Sequence, residues 1–170
     1  MRHLLAVFLL ALSCCAAADA SPTAHKVASA GLQLTIPVGW RADENKLLSC
    51  DPERLLLVSS SPIRTAHTGG LLAPRRGQVL IMVVEDHANL PSGDLNRPSH
   101  FTVAWNRLTR LEGPGGCGSP NTPVSMRFFH THGRYLGFDV YPGPSVSGKT
   151  RAQALAVMDS LRVTGQFVLP

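Results

Sequence analysis

Apolar and polar residues alternate along Leu32-Gln33-Leu34-Thr35-Ile36, and Pro37 closes the run. Period-two alternation sets one side of a segment against a core and the other in water, so this run predicts a half-buried strand. Gly39-Trp40 follows as a turn with an apolar anchor. Leu55 to Ser60 and Val79 to Val84 are instead unbroken runs of leucine and β-branched residues, bounded by proline, glycine and serine. That pattern belongs to strands covered on both faces, with Ser61 to Gly77 as a loop between them. Phe101-Thr102-Val103-Ala104-Trp105 alternates again, although Phe101, Trp105, Leu108 and Leu111 also fit a helical stripe. Its aromatic and β-branched start decides for strand. Val124 to Phe129 and Tyr135 to Val140 flank the polar link His130-Thr131-His132-Gly133-Arg134 and predict a hairpin. Thr150-Arg151-Ala152-Gln153 matches a capping box, and Ala154, Leu155, Met158 and Leu161 fall on one face, which predicts a helix over about 148–161. A final strand is expected from Arg162 to Val168.

Strands mostly in succession, with one late helix, predict an α+β domain: a mainly antiparallel sheet of about six strands with the C-terminal helix packed on one face. A chain of 170 residues fits one domain of this kind. The first twenty residues read differently. Arg2 and His3 form a short polar start, Leu4 to Leu12 an apolar run too short to span a bilayer, and Ala18-Asp19-Ala20 a small-x-small cleavage site. Residues 1–20 are therefore expected to be a signal peptide, residues 21–30 a flexible lead-in, and residues 31–170 the domain. Ala11-Leu12-Ser13-Cys14 offers an alternative, a lipoprotein cleavage box in which Cys14 would carry the lipid. Either route exports the chain, to the cell envelope or the medium.

Export sets the meaning of the cysteines. Cleavage at Ala20 leaves Cys50 and Cys117, an even pair in an oxidising compartment, and a disulfide between them is expected. Closing a loop of that length is worth about 4 kcal/mol in the chain-entropy treatment. The net charge of +5 survives cleavage, because Arg2 and Asp19 leave together. Arginine outnumbers lysine thirteen to three, but the basic residues are spread along the chain with no dense run or interleaved aromatics. With that distribution no nucleic-acid partner is expected, and the expected partner is an anionic envelope component, weakly attracted, or another envelope protein. A membrane is expected to be met only through an N-terminal lipid.

Gly143-Pro144-Ser145-Val146-Ser147-Gly148-Lys149-Thr150 satisfies the phosphate-loop pattern GxxxxGK[ST] and resembles the loop of phosphate-loop NTPases. In that chemistry Gly143 and Gly148 would let backbone amides cradle phosphates, Lys149 would reach the β and γ phosphates, and Thr150 would bind magnesium. Glu85-Asp86, after the Val79 to Val84 run, would supply the acid that orients the ion. Against this, only 27 residues follow Gly143, too few for further parallel strands, and no crossover helices lie upstream for a parallel sheet. His130 and His132 would share a strand face and could hold a transition metal with a third ligand such as His87 or Asp139. Neither a GxSxG elbow nor an HExxH helix occurs, and Glu85 and Asp86 would point to opposite strand faces.

At Arg97-Pro98-Ser99-His100-Phe101, at Gly133-Arg134, and over Arg151 to Val163 with its Met-Asp-Ser-Leu-Arg-Val ending, the chain resembles small exported or lipid-anchored proteins of high-GC Gram-positive bacteria. Ile36-Pro37-Val38-Gly39-Trp40 and the Cys-x-Pro step at Cys50 are similar to them too. No established activity comes with the group, so no functional residue is carried over. In architecture the chain also looks like the photosystem PsbP and Mog1 group, an antiparallel sheet flanked by helices, and this likeness implies fold only. The expectation is thus an exported, non-catalytic binding or structural domain without a cofactor. The alternative is a nucleotide-binding protein using residues 143–150.

Overall fold

The computed structural model describes residues 24–43, 53–67, 70–87, 96–108, 120 and 122–165. In chain order it contains β1 (His25–Ser29), β2 (Leu32–Ile36), β3 (Arg41–Asp43), β4 (Glu53–Ser59), β5 (Val79–Glu85), β6 (Ser125–Thr131), β7 (Arg134–Pro142), α1 (Gly148–Asp159) and β8 (Arg162–Val163). The strands form a small sheet, in the order β1-β2-β8, and a large one, in the order β3-β4-β5-β7-β6. Every ladder is antiparallel. The chain is a single α+β domain, as its element order predicts, but eight strands in two sheets replace the single sheet of about six.

Burial follows the hydrophobic pattern. In β2, Leu32, Leu34 and Ile36 are fully buried while Gln33 and Thr35 are not. Strands β5 and β7 are buried on both faces, as unbroken apolar runs require. The inner face of the large sheet contributes Ile81, Val83, Phe138 and Val140 to the main core, where they meet β2 and the Ala154, Val157 and Met158 stripe of α1. The opposite face builds a second cluster from Leu57, Leu80, Met82, Val84 and Tyr141, with Leu71 packed over it. A register shift between Arg54 and Leu56 lets the consecutive Leu55 and Leu56 both enter the main core, which a regular strand would forbid.

Five expectations are corrected. Residues 25–29, read as part of a flexible lead-in, pair with β2 along their whole length. Phe101 to Trp105 is not a strand: its Phe101 amide donates to the Asp159 side chain, and Trp105 and Arg107 amides turn back to Val103 and Ala104. Phe101 instead plugs the core as a single side chain, with Phe129 and Phe138 ring centroids 5.0 and 4.9 Å away. The link of the β6–β7 hairpin is two residues, not five. His132 and Gly133 both have positive φ, the backbone of a tight primed turn, and Ala30-Gly31 joins β1 to β2 in the same way. The helix is capped by Ser147, whose hydroxyl accepts from the Thr150 amide at 3.1 Å. Thr150 therefore lies inside the first turn rather than at its head. The last strand covers only Arg162–Val163 of the expected run, and residues 166–168 lie outside the described residues.

Two polar joints hold the layers together. Arg134 Nε and Nη2 donate to the Glu85 carboxylate at 2.8 and 2.5 Å, and both residues are buried. The third arm, Nη1, donates to the Ala30 carbonyl at 2.9 Å. One guanidinium thus ties the large sheet to the turn of the small one. At the other joint, the Ser160 hydroxyl accepts from the Thr35 amide at 2.8 Å, and Asp159 accepts from the Phe101 amide at 2.7 Å. Arg97 donates to the Asp159 carbonyl at 3.0 Å.

Removing either member of the buried pair strands a charge, so Glu85→Leu or Arg134→Met alone is expected to cost about 3–5 kcal/mol. The double variant should cost clearly less than the two together. Additive losses in urea denaturation would show that the pair does not act as a unit. Ser147→Ala should cost about 1 kcal/mol, and Thr150→Ala much less. Equal losses would contradict the cap assignment.

Candidate functional site

The loop that matches the phosphate-binding pattern does lie between a strand and a helix, since β7 ends at Pro142 and α1 begins at Gly148. Its surroundings do not assemble that chemistry. The strand leading into it has antiparallel neighbours on both sides, β5 and β6. Because β5 runs against β7, Val79 sits opposite Pro142 while Glu85 sits opposite Leu136. Glu85 is therefore at the far end of the strand, about 20 Å from the loop, where it binds Arg134 and cannot orient an ion at Thr150.

Two of the loop's donors are engaged within the fold. Gly143 donates to the Gln78 carbonyl at 2.8 Å, the Thr150 amide to Ser147 at 3.1 Å, and Pro144 has no N–H to offer. The Thr150 and Ser147 hydroxyls are 3.0 Å apart. Val146 turns inward and is buried in the main core. Gly143 has a packing reason instead: a Cβ there would lie 1.9 Å from the Arg75 carbonyl oxygen. Of the four motif residues, Gly143 is buried by this contact, Thr150 is half-buried, and Gly148 and Lys149 are exposed.

Two open clefts flank the loop. One, of about 390 Å³, is lined by Val38, Gly39, Arg76, Gly77, Lys149 and Thr150 among others. The second, of about 330 Å³, lies between Trp105, Pro142, Val146 and Arg151. The Arg151 guanidinium stands 5.4 Å from the Trp105 ring centroid, a cation–π distance.

The histidine pair is not on one strand face. His130 lies in β6 and stacks on Tyr135, with centroids 4.8 Å apart, whereas His132 occupies the turn with Nδ1 2.9 Å from the Thr131 hydroxyl. Asp139, a suggested third ligand, is registered against Met126, whereas His130 is registered against Tyr135. His87 lies beside Glu53 at 3.7 Å. Among the described residues no group of three histidine, cysteine, aspartate or glutamate side chains could hold a metal. Cys14, Cys50 and Cys117 lie outside the described residues.

Burial sorts the charges, a feature the linear sequence hides. Of the described acidic residues, Glu85, Asp86 and Asp139 are buried, Glu53 and Asp159 are half-buried, and only Asp43 is exposed. Lys26, Arg41, Arg75, Arg76, Arg107, Arg127, Lys149, Arg151 and Arg162 are all exposed. The described surface is thus far more positive than the net charge suggests. Asp139 is buried, and no ion pair to it is formed among the described residues. It lies on the second face of β7, two residues from Tyr141, and its Oδ1 has no hydrogen-bond partner among the described residues. Burial pushes its carboxyl up to about 6, partly opposed by a hydrogen bond from Tyr141. On the same face burial lowers Arg54, and Asp43 and Tyr141 oppose that shift.

No family model, curated protein or solved structure matches the chain.

A carboxyl raised in the folded state binds its proton more tightly there than in the unfolded chain. Stability should therefore fall as pH rises from about 4 to about 6, by roughly 3 kcal/mol for a carboxyl raised that far. Asp139→Asn is expected to flatten this slope and to raise stability at neutral pH. An unchanged slope in urea titrations across that range would refute the assignment to Asp139.

Proposed function

We propose that the chain is an exported domain, secreted or held at the cell envelope, that binds another envelope component and catalyses no reaction of its own. The observation that carries this reading is the N-terminal segment, with its polar start, apolar run and Ala18-Asp19-Ala20 site. The use of the polar residues supports it. Glu85 and Arg134 join the sheets, Asp159 and Ser160 fasten the helix, and the Gly143 and Thr150 amides close a turn and a cap. These roles are architectural. The clefts beside residues 143–150 are open and lined by exposed basic side chains, which suits contact with an anionic surface better than enclosure of a reacting molecule.

Intact mass of the native protein, before and after reduction, tests the reading. The expected chain starts at Ser21, or at a lipid-bearing Cys14, and carries one bond between Cys50 and Cys117. A full-length, uncleaved chain recovered from the cytoplasm would sink it. Melting with magnesium nucleotide should be unchanged. A nucleotide-dependent rise abolished by Lys149→Ala would replace this reading with nucleotide binding, and stoichiometric zinc lost in His130→Ala would replace it with a metal-dependent role.

A further inference from the structure

Three turns build the end of the domain at which α1 begins: Pro37 to Trp40, residues 72–78, and the 143–147 loop. The second and third are bonded to each other. Gly77 donates to the Pro144 carbonyl at 2.7 Å, Gly143 to that of Gln78 at 2.8 Å, and Arg76 Nη1 to the Ser145 hydroxyl at 3.1 Å. These two are therefore one joined surface, and Pro37 to Trp40, closed by its own Trp40 to Pro37 bond, borders the same cleft through Val38, Gly39 and Trp40. Gln78 lines both the cleft holding Arg76 and Lys149 and the groove holding Leu72 and Arg64, so the two adjoin at that residue. Across the loop, Arg151 faces the neighbouring cleft. Arg64, Arg76, Lys149 and Arg151 line these depressions, and no acidic residue does among those described.

The same surface holds apolar side chains in water. Val38 is 53% and Leu72 38% exposed, two of the three large hydrophobic residues that the described surface leaves open. Val38 lines the cleft with Arg76 and Lys149, and Leu72 the adjoining groove. Where the chain enters the domain is a further, independent observation. His25 at the start of β1 is registered against Ile36, two residues before Val38. The N-terminal side of the domain, where a signal segment or a lipid on Cys14 would lead, thus opens beside this surface.

We propose that this end docks on a membrane bearing anionic phospholipids, with Arg76 and Lys149 at the lipid phosphates and Val38 and Leu72 at the boundary between headgroups and acyl chains. Basic side chains interspersed with exposed aliphatic ones fit an interfacial surface. A soluble phosphate polymer would need the cations but not Val38 and Leu72. The docking deepens the export reading, which supplies the membrane face that the domain meets. A single acyl chain holds a protein only weakly and reversibly, so the basic end would give a lipid on Cys14 the second attachment it needs.

The test uses the mature chain from Ser21 and sedimentation with phosphatidylcholine vesicles, with and without phosphatidylglycerol. Binding is expected only with phosphatidylglycerol, and it should weaken as salt is raised. Arg76→Gln with Lys149→Gln should lower the partition about 25-fold, about fivefold per charge, while Arg76→Lys retains binding. Val38→Ser with Leu72→Ser should lower it about tenfold. Arg127→Gln with Arg162→Gln, an equal charge change elsewhere, should leave it unchanged, and all variants should melt like the parent. No binding to phosphatidylglycerol vesicles overturns the proposal, as does an equal loss in the Arg127/Arg162 pair. Equal affinity for long-chain polyphosphate that is indifferent to Val38 and Leu72 overturns it in favour of a soluble polyanion. Because the vesicles are added from outside, any of these failures leaves the export reading to the mass measurement.

Discussion

The contact between Glu85 and Arg134 constrains the rest of the fold. Both residues lie at one end of the central strands, both are buried, and the guanidinium grips the carboxylate with two donors while its third holds the Ala30 carbonyl. A buried ion pair gains little net stability, because desolvating two charges nearly offsets their attraction. Its force is in what it forbids. If the small sheet slid along the large one, Arg134 would lose Ala30; if β5 and β7 shifted register, Glu85 would be stranded without its partner. The two tight turns at Ala30-Gly31 and His132-Gly133 bring the groups into range, so local backbone chemistry and the docking of the layers specify the same arrangement.

The second joint works on the opposite side of the small sheet. Asp159 and Ser160 end the helix, and their side chains reach the Phe101 amide and the Thr35 backbone respectively. Phe101 is thereby held over Phe129 and Phe138 without belonging to a ladder. Arg97, His100 and Phe101 on one segment all meet Asp159 at the end of the helix, so one acidic residue gathers a segment that has no ladder of its own.

The sequence made much of the fold legible, for identifiable reasons. Strands β2, β4, β5, β6 and β7 and the helix carried strong periodicity or unbroken apolar runs, and local pattern sufficed for them. Strand β1 escaped because His25-Lys26-Val27-Ala28-Ser29 is mostly exposed, held by its pairing to β2 with only the half-buried Val27 packed against the core. Phe101 to Trp105 misled because one plugged aromatic gives the same spacing as an alternating strand. The phosphate-like loop, kept only as the alternative, turns on something spacing does not carry. Its residue pattern is genuine, but its meaning depends on strand direction, and the antiparallel placement of β5 that moves Glu85 away from Thr150 cannot be read from spacing.

Charge sorting was equally hidden, and it follows from the joints. A basic sequence with scattered arginines promises only a diffuse attraction. Folding changes this by assigning Glu85 and Asp159 to fasteners and placing Asp86 and Asp139 in the interior, while leaving Arg75, Arg76, Lys149 and Arg151 outside. The helix begins at the same end, its first turn without acidic residues, so its positive pole adds to those side chains rather than being neutralised. Acids that hold the layers together cannot also screen the surface. The interactions that fasten the layers thereby leave basic side chains, and no acidic one among the described residues, along the clefts at that end, which is a consequence of the architecture rather than of composition alone.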